Sequence, residues 1–229
     1  MSHVIEVLDH GLVRLVEHMG SDLSIVRNAR VSYDAEWRAG EDEGSDYRLL
    51  NYLTKNRHTS PFEAVTLTFE VKAPIFVLRQ WHRHRTWAFN EVSARYAELP
   101  EVFYIPELGQ VTKQSTDNKQ MRTTEQHPGA NLFADRLTEH SEEAFRVYQI
   151  ALEDGIPREL ARLFLPLNTY SHMFATVNLH NLFNFLRLRL HTHSQYEIRV
   201  FAEAMLVLAE EVAPVAVAAF RRHVLGELV

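Results

Sequence analysis

The sequence predicts a single chain that mixes strands and helices, and two observations carry this. Apolar and polar residues alternate or run together at strand length over 3–8 (HVIEVL), 11–17 (GLVRLVE), Val65 to Val71 and Thr169 to Val177. Longer runs at the helical period separate and follow them, from about Ala130 to Glu153 and from about Tyr196 through Val207 and Val212. At 229 residues the chain can bury a full core. With no internal repeat or linker, one domain over 1–229 is expected.

The first two strands meet at a turn at His10-Gly11, and Asp22 stands as the N-cap of a helix carrying Leu23, Val26, Arg27, Arg30 and Val31. The acidic, glycine-containing run over 34–46 (DAEWRAGEDEGSD) predicts a mobile surface loop. Leu49, Leu50 and Leu53 form the apolar stripe of a second helix that ends near Arg57-His58. Ser60 precedes Pro61, whose ring favours an extended Ser60 with its hydroxyl and N–H free; this suits either a helix-to-strand turn or a ligand contact. Beyond the strand at Val65 to Val71, Pro74 opens a helix in the run PIFVLRQW.

Farther on, 103–106 (FYIP) reads as a short strand or turn, and the polar stretch 109–129 as a loop or weak hairpin. Gly155 closes the long helix, and Pro157 opens a shorter one (PRELARLFL) that Pro166 ends. Arg162 lies in it among Leu160, Ala161, Leu163 and Leu165, where snorkelling to water would account for it. Asn178 suits the N-cap of LHNLFNFLRLRLH. One face of that helix carries His180, Asn184, Arg187 and His191, and the other Leu182, Phe185 and Leu186. Arg189 falls on the packed side, so its guanidinium needs hydrogen-bonding acceptors. Spacing leaves a structural ion pair with Glu or Asp and a site role both open.

The stretch Gln80 to Tyr96 (QWHRHRTWAFNEVSARY) concentrates chemistry. On a helix Gln80, Arg83 and His84 share a face, while Arg79 and Arg83 stand one turn apart with nothing acidic among them. Such like charges cost stability unless an anion lies between them. In an extended segment Glu91, Ser93 and Arg95 point the same way, and together they suit a polar ligand with donors and a negative group. A solvated basic helix followed by a polar strand is the bland alternative.

Composition excludes several chemistries. The formal net charge of −6 argues against general nucleic-acid binding, although Arg79 to Arg95 is locally basic. No apolar run has membrane-spanning length and MSHVIEVLDHG lacks a signal-peptide pattern, so a soluble cytoplasmic protein is expected. The chain contains no cysteine, which removes thiol nucleophiles, disulfides and cysteine-ligated zinc.

The central stretch resembles the signature of the flavin-dependent thymidylate synthases: RHR, two residues, Ser, one residue, Asn-Glu, one residue, Ser, one residue, Arg. Arg83, His84, Arg85, Asn90, Glu91, Ser93 and Arg95 match it, and Ala88 replaces the first serine. A second patch, H-x-[ST]-P-F-E-H, matches at His58, Ser60, Pro61, Phe62 and Glu63, with Ala64 in place of the histidine. RxxLP at Arg162 and NLHNLFNFLRLR follow in the family's order, and the resemblance runs from Ser32 to the C-terminal helices.

It implies an α+β fold, a mainly antiparallel sheet with packed helices, in a homotetramer whose active sites are shared between subunits. It further implies that NADPH reduces tightly bound FAD, that methylenetetrahydrofolate supplies the carbon and reduced flavin the hydride, and that dUMP becomes dTMP. Arg189 matches the family arginine that stabilises the uracil as its anion. By the same resemblance dUMP contacts fall on Gln80, Arg83, Glu91, Ser93, Ala94, Arg95, Arg162 and Arg189, with Arg162 reaching a neighbouring subunit's nucleotide. FAD contacts fall on Ser32, His58, Ser60, Glu63, Arg83, His84, Arg85, Asn90, Glu91, Asn178, His180, Asn184 and His193, with His180 standing where some relatives carry arginine. Ser93 is assigned to binding because no histidine base is evident beside it. No metal and no membrane enter this reading.

Three competing readings remain. His82 with His84, or His191 with His193, could ligate zinc together with Glu63 or Glu91, but i,i+2 histidines diverge on a helix and HExxH is absent. Trp81, Trp87 and Tyr96 between arginines could stack on single-stranded nucleic acid. A purely structural assembly protein is the third.

Overall fold

The structure is a computed structural model and describes residues 3–227. Five strands form one antiparallel sheet: β1 (Val4–Val7), β2 (Gly11–Met19), β3 (Thr66–Pro74), β7 (Tyr170–Asn178) and β4 (Ala88–Glu91), in that spatial order. β5 (Thr112–Gln114) and β6 (Arg122–Gln126) make a separate hairpin, the weak one expected in 109–129. The helices are α1 (Asp22–Arg30), α2 (Glu43–Lys55), α3 (Ile75–Trp81), α4 (Ala130–Glu153), α5 (Arg158–Ala161), α6 (Leu179–Arg189), α7 (Tyr196–Val212) and α8 (Pro214–Phe220). The fold is thus α+β with a mainly antiparallel sheet. Among the described residues no helix is long and apolar enough to cross a membrane.

The period-two pattern of the central strands decides which face is buried. Leu67, Phe69, Val71 and Ala73 of β3 and Met173, Ala175 and Val177 of β7 point into one core with Leu182, Phe185 and Leu186 of α6 and Phe201 and Met205 of α7. Register pairs Phe69 with Ala175 and Val71 with Met173, setting large against smaller side chains. The opposite face is polar: the Thr68 and Thr176 hydroxyls bond at 2.9 Å, and Glu70 takes Arg14 Nε at 2.5 Å and His172 Nε2 at 2.8 Å. Gly11 opens β2 because a Cβ there would lie 2.5 Å from Val7 O and 2.9 Å from Lys72 O.

Several local expectations are revised. The first turn is Leu8 to His10, and Gly11 already belongs to β2. Ser21, not Asp22, caps α1. The Asp22 carboxylate instead accepts the N–H groups of Val215 and Ala216 at 2.9 Å each, satisfying the first turn of α8. Burial pushes its pKa up, against the lowering effect of those two bonds.

The acidic run over 34–46 is ordered structure rather than a mobile loop. Asp42 accepts Ser45 N–H at 3.1 Å and starts α2 at Glu43, and buried Asp46 lies 2.6 Å from Arg30 of α1. Its periodicity was hidden because its inward residue is a charge whose partner is sixteen positions upstream.

Ser60 opens a short 3-10 turn over Ser60–Ala64 instead of standing extended, so the proline fits the first turn of that helix. Pro74 ends β3 and α3 begins at Ile75.

Candidate active site

The strand-to-strand crossover between α3 and β4 is anchored by aromatics. Trp81 is fully buried and stacks on Phe185 of α6 with centroids 4.9 Å apart, and Trp87 packs edge-on to both. Because both indoles are drawn inward, α3 stops at Trp81. His84 then follows through a tight turn, its N–H donating to Trp81 O at 2.9 Å. Gln80, Arg83 and His84 therefore do not share a helical face as expected. Trp81 and Trp87 are also buried, which removes two of the three aromatics of the nucleic-acid reading and leaves Tyr96 exposed.

His84 and Gln80 nevertheless meet at Arg189. The Arg189 Nε–H donates to His84 Nε2 at 3.0 Å, and its NH2 donates to the backbone oxygen of Gln80 at 3.4 Å. Both acceptors are uncharged, and no carboxylate pairs with Arg189 among the described residues. Of the two readings the sequence left open, the structural ion pair is the one this excludes. Burial lowers the pKa of Arg189, and burial together with the Arg189 charge lowers that of His84 to about 4. His84 is thus a neutral ring with its lone pair on Nε2 facing the guanidinium, which places its proton on Nδ1. The guanidinium keeps its full charge, constrained in direction and uncompensated.

Arg189 also lines a cleft of about 1120 Å³ between α6, the segment after it and the end of α2. His180, Asn184 and His193 of the expected flavin set line it too. Asn184 Nδ2 meets His180 Nε2 at 3.2 Å, one turn apart on the polar face of α6. His58, Ser60 and Glu63 are exposed and stand outside that lining; Thr59 and Phe62 of the same turn supply the wall. Arg57 and Arg187 line it as well and were not among the expected contacts. Arg187 was findable from its i+7 spacing to His180; Arg57, held at a left-handed φ of 57°, carries no such signal.

A second group surrounds the end of β4. Glu91 accepts the Ser171 hydroxyl at 2.6 Å and lies 3.8 Å from His82 Nε2. The strand stops at Glu91, and Ser93 opens a turn in which its backbone oxygen accepts from Tyr96 and Ala97. Glu91, Ser93 and Arg95 consequently do not line one strand face. Arg95 Nε sits 3.3 Å from Glu159, whose backbone oxygen accepts Arg162 Nε at 3.3 Å, so one residue meets two of the expected nucleotide arginines; Ala94 is buried. Among the described residues, no hydrogen bond or ion pair joins this group to Arg189.

Asn178 caps α6, accepting Asn181 N–H at 2.9 Å. Arg83, Arg85, Asn90 and Ser32 are exposed and make no side-chain bond or ion pair among the described residues. Nor do those residues include three or more His, Cys, Asp or Glu placed to hold a metal ion.

A family model described as thymidylate synthase complementing protein matches residues 14–215. The chain belongs to this family. A flavin-dependent thymidylate synthase of Treponema denticola is 46% identical over 225 residues, covering 97% of this chain and 84% of the relative. One from Thermus thermophilus is 46% identical over 224 residues, covering 96% and 79%. Among solved structures, the UMP/dUMP methylase PolB of Streptomyces cacaoi bound with 5-Br dUMP superposes with a TM-score of 0.86 at 39% identity, covering 96% of this chain and 98% of that one. This is an enzyme family, and the expected family membership and fold both hold.

Proposed function

We propose that the enzyme reductively methylates dUMP to dTMP, with methylenetetrahydrofolate as carbon donor and NADPH-reduced FAD as hydride source. The observation that carries this is Arg189: a guanidinium held by a neutral imidazole and a backbone carbonyl, with its charge unspent. Placed against a uracil ring, that charge lowers the cost of the ring anion and raises the nucleophilicity of C5, which a chain without cysteine needs. Gln80, Arg83, Glu91, Ser93, Ala94 and Arg95 would hold dUMP, the arginines suiting its phosphate.

The large cleft fits a flavin dinucleotide by its donor set. Arg57, Arg187 and His193 offer hydrogen bonds to phosphate, while Phe62 and Phe183 offer apolar surface to a ring. His180 and Asn184 would bind there too, with His58, Ser60, Glu63, His84, Arg85, Asn90, Asn178 and Ser32 completing the set from this or a neighbouring subunit. Bound FAD would supply the hydride for reduction of the transferred carbon. A homotetramer with shared sites is supported by exposed Arg83 and Arg85, which have no counter-ion among the described residues.

The test is a visible spectrum of purified protein, then anaerobic NADPH with and without dUMP, then methylenetetrahydrofolate. A flavin band that bleaches, followed by dTMP, is expected. FAD-saturated protein with no flavin band and no dUMP binding would overturn the proposal.

A further inference from the structure

We propose that Gln195 and Glu197 are positioning residues that set the polarity of the Gln80 amide, so that Gln80 Oε1 meets bound nucleotide as an acceptor for an N–H or O–H. This rests on the reading of Gln80 as a dUMP contact.

The chain of bonds starts at Glu197, a carboxylate only 3% exposed. Its Oε1 accepts Arg122 NH1 and NH2 and the Tyr104 hydroxyl, each at 3.2 Å. Burial and the adjoining Glu197 push the Tyr104 phenol upward, so Tyr104 remains a donor. Glu197 Oε2 takes the Gln195 Nε2 at 2.8 Å. An ionised carboxylate has only acceptors, so Gln195 must offer it the NH2 end of its amide. Gln195 Oε1 is then turned outward, where the Gln80 Nε2 donates to it. With its NH2 spent on Gln195, Gln80 presents Oε1, which no protein donor meets among the described residues.

A glutamine side chain alone exchanges its two ends freely. Here, reversing Gln80 would oppose two carbonyl oxygens, and reversing both amides would set the Gln195 oxygen against the Glu197 carboxylate. Charge on one buried residue thus orients two amides in series. The same connecting segment grips Gln80 twice: Arg189, ending α6, holds its backbone oxygen, and Gln195, before α7, holds its side chain. Tilting the segment would move the uracil-facing charge and the acceptor together.

The experiment measures kcat and KM for dUMP with the FAD-loaded enzyme and its Gln80→Leu, Gln195→Leu, Glu197→Gln and Gln80→Leu/Gln195→Leu variants. Gln195 is exposed, so Gln195→Leu keeps the fold, with a modest drop in melting temperature from the Glu197 Oε2 that loses its donor, and kinetics are read well below that melt. Gln195→Leu is expected to raise KM roughly three- to fivefold through the freed rotamers of Gln80, with kcat changed about twofold or less. Glu197→Gln should raise it about twofold, because a neutral amide permits either polarity. In the Gln80→Leu background, Gln195→Leu should have no further effect.

If Gln80→Leu weakens dUMP but Gln195→Leu does not, the positioning role fails while the dUMP site stands. Equal effects of Gln195→Leu with and without Gln80 also overturn it. If wild type fails to bind dUMP, or Gln80→Leu leaves KM unchanged, the underlying reading of Gln80 fails and the positioning role with it.

Discussion

Arg189 donates to His84 Nε2 at 3.0 Å, a cation held by a neutral ring where a carboxylate would ordinarily stand. A carboxylate there would neutralise the charge that the proposed reaction directs at a uracil anion, whereas imidazole fixes the guanidinium's direction and leaves its field intact. Arg189→Ala is therefore expected to lower kcat/KM for dUMP by at least about a hundredfold while flavin stays bound. Steady-state turnover beside the flavin absorbance of the purified variant checks both halves.

The His84 pKa makes a pH prediction. Its folded value is about 4 against an ordinary 6.5, so between these the unfolded chain takes up a proton that the folded protein refuses. Its stabilising contribution is complete above pH 6.5 and is lost as pH falls toward 4. Solvent screening at this half-buried ring limits the loss to roughly 1–2 kcal/mol. Urea melts across this window should show a steeper loss for wild type than for His84→Gln.

Asp46 joins α2 to α1 through Arg30. Its Oδ1 lies 2.6 Å from the guanidinium without good hydrogen-bond alignment, so that attraction is chiefly Coulombic, while Oδ2 accepts Gly40 N–H at 2.7 Å. Asp46→Ala leaves the largely buried Arg30 charge without its carboxylate, with only Arg38 O and Ser45 Oγ accepting from it, and should destabilise by roughly 3 kcal/mol. Removing both partners in Arg30→Met/Asp46→Leu should recover part of the loss, as thermal melts of the three variants would show.

Asn178 has a structural duty distinct from its expected flavin contact. Its cap to Asn181 predicts that Asn178→Ala costs about 1 kcal/mol and that Asn178→Asp restores it. Flavin affinity measured on both variants separates the roles: a contact made through the amide NH2 is lost in each, whereas a pure cap leaves the Asp variant binding like wild type.

The long helix Ala130–Glu153 and the central strands were legible because their apolar residues repeat at one period with a proline or glycine at the boundary. The Arg83 to Arg95 signature was legible as a motif, but its geometry was not. Neither the helical nor the extended spacing survives, since Trp81 and Trp87 fold the segment around Phe185. Asp22 and Asp46 were misplaced for a related reason. Each serves a partner in another element, and local capping rules see only the next few residues.

Sequence by itself determined the α+β class, the central strands and the long helix, the excluded thiol chemistry and the family. These depend on periodicity, composition and ordered motifs, all of which are properties of the chain as a line. Tertiary structure alone decided that Arg189 faces His84 instead of an acid, and that Glu197 reaches Gln80 through Gln195. Charge state, amide polarity and burial depend on which atoms lie within about 3 Å of one another. Residues 84 and 189, or 80 and 195, acquire that relation only when α6 and α7 close over the sheet.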